Sequence, residues 1–140
     1  MKILIDTNVV LDILLHRQPW YSNAVFIFSL AKRRFYKGYV SASAITDIFY
    51  IAKKRLGKTA ARQAIRQLLT VFSPATVTDK NIYQALNLEW NDFEDSVQFI
   101  VGKYLPVDFI ITRNIQDFAS ASINAITPEQ FIQTFTDIEK

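Results

Sequence analysis

Apolar and polar positions fall into blocks of two kinds along this chain. Ile3, Leu4 and Ile5 form a short unbroken apolar run, the pattern of a buried parallel strand, and Asp6 stops it. Residues 7–15 are apolar nearly all round, which predicts a helix covered on several sides. Arg17, Gln18 and Pro19 make a break. Residues 20–34 then place Ala24, Ile27, Phe28 and Ala31 on one helical face. A second strand is expected over residues 38–41. A helix over residues 43–55 follows, with Ile45, Ile48, Phe49, Ala52 and Leu56 as its stripe and Gly57 placed to end it. Residues 58–72 predict another helix, buried through Ala61, Ile65, Leu68 and Leu69, which Ser73 and Pro74 interrupt.

The second half continues the alternation. Residues 75–77 suit a short third strand. Thr78 is placed to cap a helix over residues 79–87, and residues 89–92 read as a loop. Phe93, Val97, Ile100, Val101 and Tyr104 recur at helical spacing over residues 93–105, ended by Pro106. Residues 109–112 form the fourth strand, and Ala125-Ile126 a weak fifth. Thr127-Pro128-Glu129-Gln130 has the capping-box spacing and first-turn proline of a helix start. Strands that alternate with helices imply a mostly parallel sheet with helices on both faces. The expected fold is therefore α/β: a three-layer α/β/α sandwich around four to five strands, in one domain over residues 1–140.

Composition narrows the chemistry. The chain is half hydrophobic, enough for a packed interior. It has no cysteine, which fits a reducing compartment and removes thiol catalysis and cysteine zinc sites. With His16 the only histidine, and that at a helix end, no multi-histidine metal site can form. Gly38, Gly57 and Gly102 are too dispersed for a glycine-rich phosphate loop. No signal peptide or stretch of about 20 apolar residues is visible, so a cytoplasmic protein without a membrane span is expected. The net charge of +3 is compatible with a polyanionic partner without demanding one. Carboxylates, hydroxyls, amides and basic groups remain as the available tools.

The carboxylates sort by geometry. Sites in open parallel sheets form at the carboxyl ends of strands, where the crossover helices also begin. Asp6 ends the first strand, and Asp47 lies in the first turns of the helix after the second. Asp92, Glu94 and Asp95 surround the start of the helix before the fourth strand, which Asn114 and Asp117 follow. All project toward one edge. Asp108 falls at the other edge, and Asp12 sits deep in the first helix in a structural position. Asp79 and Asp92 are also placed as helix caps or dipole partners. Two like charges about 4 Å apart repel by roughly 4 kcal/mol at an effective dielectric near 20. Such a cluster needs a counter-cation or raised pKa values. All-oxygen ligation suits Mg²⁺ or Mn²⁺ better than zinc.

Four segments together resemble PIN domains, the family that includes VapC-type toxins. They are Ile3 to Asp12, Ser43 to Asp47, Asp92 to Gln98 and Phe109 to Phe118, and their order runs through nearly the whole chain. The resemblance implies a metal-dependent nuclease, usually acting on RNA. Carried over by position, Asp6 and Asp95 are the firmest metal ligands. Asp47 stands where many relatives have glutamate, and Asn114 where many have aspartate. Asp117 is the alternative source of the missing carboxylate. Thr7, Asn8 and Thr112, with Asp92 and Glu94, are implied supporting groups that orient carboxylates or water.

The resulting expectation is a Mg²⁺- or Mn²⁺-dependent ribonuclease that hydrolyses phosphodiester bonds in single-stranded or structured RNA, with Asp6, Asp47 and Asp95 at its centre. The toxin resemblance adds a protein antitoxin and self-association as a homodimer. Lys54, Lys58, Arg62, Arg66 and Arg113 are candidate phosphate contacts. Lys53 and Arg55, and the group Lys32, Arg33, Arg34 and Lys37, are basic too, although each patch also has the look of a solvated helix face. Trp20, Tyr36, Tyr50 and Trp90 are candidates for base stacking or for the core. A non-catalytic nucleic-acid-binding module is the alternative, supported by Asn114. A receiver or aspartate-nucleophile phosphatase is less favoured, because Asn8 stands where such phosphatases place a second aspartate and no acidic pair precedes Asp6.

Overall fold

In the computed structural model, which describes residues 1–139, five parallel strands lie in the order β3-β2-β1-β4-β5. The elements in chain order are β1 (Lys2–Ile5), α1 (Thr7–Leu14), α2 (Tyr21–Lys32), β2 (Lys37–Ser41), α3 (Ala42–Leu56) and α4 (Lys58–Leu68). They continue with β3 (Ser73–Ala75), α5 (Asp79–Leu88), α6 (Phe93–Tyr104), β4 (Phe109–Ile111), a 3₁₀ turn (Ile115–Phe118), β5 (Asn124–Ile126) and α7 (Pro128–Glu139). No helix among the described residues is long and apolar enough to cross a membrane.

Strand period sorts the core into two layers. Ile3, Ile5, Val40 and Ile111 face one way and pack with residues of α1, α2, α3, α4 and α7. Leu4, Tyr39, Ala75 and Ile110 face the other way, against α5, α6 and Phe118 of the 3₁₀ turn. This is the expected three-layer α/β/α sandwich. Ile3, Leu4 and Ile5 are fully buried because β1 is the central strand, paired with β2 and β4 and covered on both faces.

Boundaries shifted where proline and sheet edge interact. The third strand is Ser73–Ala75, not residues 75–77, and Pro74 lies inside it, opposite Val40. Only β2 flanks β3. A proline without an N–H is tolerated on such an edge, although it would break a central ladder. Gly57 joins α3 to α4 at φ +85°, a left-handed backbone that side-chain-bearing residues rarely adopt.

Gly38 is required by space. A Cβ there would lie 2.5 and 2.7 Å from ring atoms of Phe72 and 3.2 Å from Tyr36. Phe72 is fully buried and cannot swing clear. Gly38→Ala is therefore expected to destabilise the protein by about 1–3 kcal/mol through overpacking, read by urea unfolding. An unchanged midpoint would show that the ring relaxes freely.

Candidate metal centre

The centre is built where β1 ends. Asp6 is the N-cap of α1, so its carboxylate is aimed back over the carboxyl edge of the sheet. Its Oδ1 accepts from the backbone N–H of Thr7 at 2.7 Å and from Nε2 of Gln98 at 2.8 Å. Its Oδ2 accepts from the Thr112 hydroxyl at 2.6 Å and from Nδ2 of Asn8 at 3.2 Å. Four donors from three segments thus fix one carboxylate. Burial pushes its pKa up; the donors oppose this and the Asp92 charge adds to it.

Asp92, Glu94 and Asp95 arrive together because α6 starts beside Asp6. Asp92 is the N-cap, accepting from the backbone N–H of Asp95 at 3.0 Å. Asp95 is buried, and its pKa rises to about 7 through burial and then repulsion from Asp6, Asp92, Asp117 and Glu94. Glu94 accepts from the Thr7 hydroxyl. Its pKa is raised by burial, with Asp47 and Asp6 contributing after the opposing Thr7 bond.

Asp47 is exposed on α3 at the rim, where its charge reaches Glu94. Asp117 is exposed on the 3₁₀ turn, and with Asp92 and Asp95 it borders a cleft of about 450 Å³. The Asn114 side chain makes no capping bond, whereas its backbone N–H donates to the Thr112 hydroxyl at 3.1 Å. Glu94, expected as a supporting group, is within electrostatic reach of both Asp6 and Asp47.

Sequence reasoning gave no role to Gln98, a fully buried amide that donates to Asp6. Its signal was present: it lies four and three residues after Glu94 and Asp95, one turn along the same face of α6. Its Oε1 is buried with no hydrogen-bond partner among the described residues. Asp108 accepts from the backbone N–H of Lys2 at the start of β1, at the opposite sheet edge as expected.

The donors suit a hard divalent cation in kind and charge. They are all oxygen, three are carboxyls with raised pKa values, and Gln98 Oε1 is a buried acceptor that lacks a donor among the described residues. Among the described residues, no three His, Cys, Asp or Glu side chains already converge as a group able to hold an ion. Side-chain adjustment would accompany binding, so the structure assigns no coordination geometry.

The basic residues divide. Lys53, Arg62 and Arg66 line a groove of about 510 Å³ between α3 and α4 with Ile45, Phe49 and Tyr50. Lys54 and Lys58 are exposed near the α3–α4 turn. Lys32, Arg34 and Lys37 lie with Met1 at the amino edge, away from the acidic centre. Arg113 is engaged within the molecule: its Nε donates to Asp12 at 2.9 Å, and its guanidinium lies 3.8 Å from the Trp20 ring centroid. Tyr36 donates its buried hydroxyl to the Ile27 carbonyl, and Trp90 stacks on Phe99. Tyr50 alone of the four aromatic candidates is largely exposed.

A search of curated proteins finds no match to this sequence. Solved structures of low identity share the fold. The structure of VapBC2 from Rickettsia felis bound to a DNA fragment from its promoter matches with a TM-score of 0.68 at 15% identity, over 91% of this chain and 98% of that one. A toxin–antitoxin complex from Klebsiella pneumoniae matches with a TM-score of 0.67 at 22% identity, over 90% and 97%. VapC20 from Mycobacterium tuberculosis, a toxin that cleaves the sarcin-ricin loop, matches with a TM-score of 0.68 at 19% identity, over 86% and 95%. The model of the PIN domain matches residues 2–116. With that match spanning most of the sequence and the same α/β/α frame beneath it, this chain belongs to the PIN domain family.

Proposed function

We propose that this chain is a divalent-metal-dependent ribonuclease that hydrolyses phosphodiester bonds in single-stranded or structured RNA. The observation that carries the reading is the placement of Asp6, Glu94 and Asp95 at the carboxyl edge of the sheet. Asp6 and Glu94 are tied to one another through Thr7 and Gln98, and all three pKa values are raised chiefly by burial and further by neighbouring carboxylates, Asp92 among them for each. A fold gains nothing in stability from such a group unless a cation joins it. Asp6, Asp47 and Asp95 are the proposed ligands, with Asp117 or the Asn114 carbonyl completing the set. Bound Mg²⁺ or Mn²⁺ would polarise a water and neutralise charge on the phosphoryl group.

The chain's own groups divide the remaining work. Thr112, Gln98, Asn8 and the Thr7 amide hold Asp6 in one orientation, which fixes the direction in which its two oxygens face the centre. Glu94, oriented by Thr7, takes the proton of the attacking water. Asp117 supports the catalytic reading over a binding-only module, because its charge acts on Asp95 and can stand in for the aspartate missing at Asn114. The toxin–antitoxin complexes among the structural neighbours support a protein antitoxin as partner. Self-association remains part of the proposal.

The test is cleavage of a panel of labelled RNAs, structured and unstructured, by purified protein. Cutting is expected with Mg²⁺ or Mn²⁺ and should disappear with EDTA. Cutting that survives EDTA would remove the metal from the mechanism; binding without cutting across the panel would favour the non-catalytic module.

A further inference from the structure

Arg113 follows β4 and looks, by charge and position, like a contact for phosphate. Its surroundings say otherwise. The guanidinium makes a two-point contact with Asp12 of α1, Nε to Oδ2 at 2.9 Å and Nη2 to Oδ1 at 3.3 Å. Asp12 is only 1% exposed, so its charge depends on this partner, with Arg17 more distant at 4.0 Å. The guanidinium also lies over Trp20, 3.8 Å from the ring centroid, within the range of a strong cation–π contact. Its Nε–Nη2 edge and one face are therefore engaged within the molecule. One side chain ties α1, the entry to α2 and the loop after β4 together.

That loop carries Thr112, whose hydroxyl donates to Asp6 Oδ2 at 2.6 Å and accepts from the Asn114 backbone N–H at 3.1 Å. The hydroxyl direction is thereby fixed. Arg113 stands between those two residues, and its own N–H approaches Asn8 Oδ1 at 3.5 Å, while Asn8 Nδ2 donates to Asp6 at 3.2 Å. Two of the four donors on Asp6 thus border the segment that the Asp12–Arg113–Trp20 clamp holds.

We infer that Arg113 is a positioning residue, which acts through Thr112 and Asn8 to orient Asp6 and does not contact RNA. This rests on the ribonuclease reading for its kinetic consequence but not for its metal-binding one. Losing a group that orients a metal ligand costs roughly 10–100-fold in metal affinity or activity. An arginine on a phosphate would instead weaken RNA binding and lower the salt slope by about 1.

The experiment compares wild type with Arg113→Ala, Arg113→Lys and Trp20→Leu. It measures kcat and KM on RNA at several salt concentrations, and Mn²⁺ affinity by calorimetry on EDTA-stripped protein. For Arg113→Ala we expect kcat to fall at least 10-fold, KM to stay within about two-fold, the salt slope to hold, and Mn²⁺ affinity to fall about 10-fold. Arg113→Lys keeps the charge but loses the fork and the planar stack, so it should lie between. Trp20→Leu leaves the ion pair and should move the same quantities less. If Arg113→Ala does not fold, the other two variants decide. A raised KM with a lower salt slope and unchanged metal affinity overturns the inference, as does no change at all. If wild type cuts no RNA, the ribonuclease reading fails, and Mn²⁺ affinity alone decides: a 10-fold loss supports the clamp and an unchanged value overturns it. Failure of wild type to bind Mn²⁺ overturns both.

Discussion

Replacing Asp6 or Asp95 by asparagine should slow RNA cleavage in Mg²⁺ by roughly 100-fold or more, about 3 kcal/mol of transition-state stabilisation, while the protein still folds. For Asp6 the reason is geometric as well as electrostatic. Both oxygens accept hydrogen bonds, from Thr7 and Gln98 on one side and from Thr112 and Asn8 on the other. An asparagine presents an NH₂ to one of those donor pairs, so it loses a charge and turns an attraction into a clash of donors. Asp95→Asn removes a charge from the proposed ligand set at a buried position. Asp47, exposed on the rim, should cost less when changed to asparagine, on the order of 10-fold. Asp108→Asn, at the opposite sheet edge, is the control and should leave the rate unchanged. Single-turnover cleavage of labelled RNA checks the series. Asp6→Asn or Asp95→Asn protein that cuts at the wild-type rate would remove the acidic centre from the chemistry.

Legibility of the site followed the physics of each residue. Asp6 stood out because Ile3, Leu4 and Ile5 have no reason to be continuously apolar outside a central strand, and a central strand must end at the functional edge of a parallel sheet. Asp92, Glu94 and Asp95 were placed by the start of α6, which the spacing of Phe93, Val97, Ile100 and Val101 marks. What stayed hidden depends on contacts between distant parts of the chain. Asp12 and Arg113 are 101 residues apart, and nothing local says that the arginine turns inward to an aspartate and an indole. Pro74 reads as a breaker in a window of local sequence, and only its position on an edge strand makes it harmless. The 3₁₀ turn that carries Asp117 was not foreseen, because four residues are too short to leave a helical period, although Asp117 itself was placed at this edge by its position after the fourth strand. Gln98 is harder to read for a different reason: a neutral amide carries no charge to mark it, and only its place one turn after Glu94 and Asp95 points to the donor it supplies to a buried carboxylate.

The same carboxylates should make the metal-free protein less stable as pH rises. Asp95 has a folded pKa of about 7 against an ordinary value of 3.8, so between those limits the native state holds more protons than the unfolded chain. Stability then falls with increasing pH, is fully present below about 4 and is lost as pH passes through about 7. Asp6, Asp12 and Glu94 are shifted in the same direction, each chiefly by burial, so the sign does not depend on one group. In EDTA, Tm should therefore decline from pH 5 to pH 8. Asp95→Asn should flatten this decline and raise Tm at pH 8 by roughly 5 °C, a gain in stability from the change that removes activity. Mg²⁺ or Mn²⁺ should restore wild-type Tm at pH 8 by binding only the folded state, and should do little for the asparagine variant. Thermal unfolding across pH, with and without the cation, separates these cases. A metal-free Tm that rises between pH 5 and pH 8 would mean that the carboxyls are paired rather than buried without a counter-charge, and the electrostatic basis for a cation site would be gone.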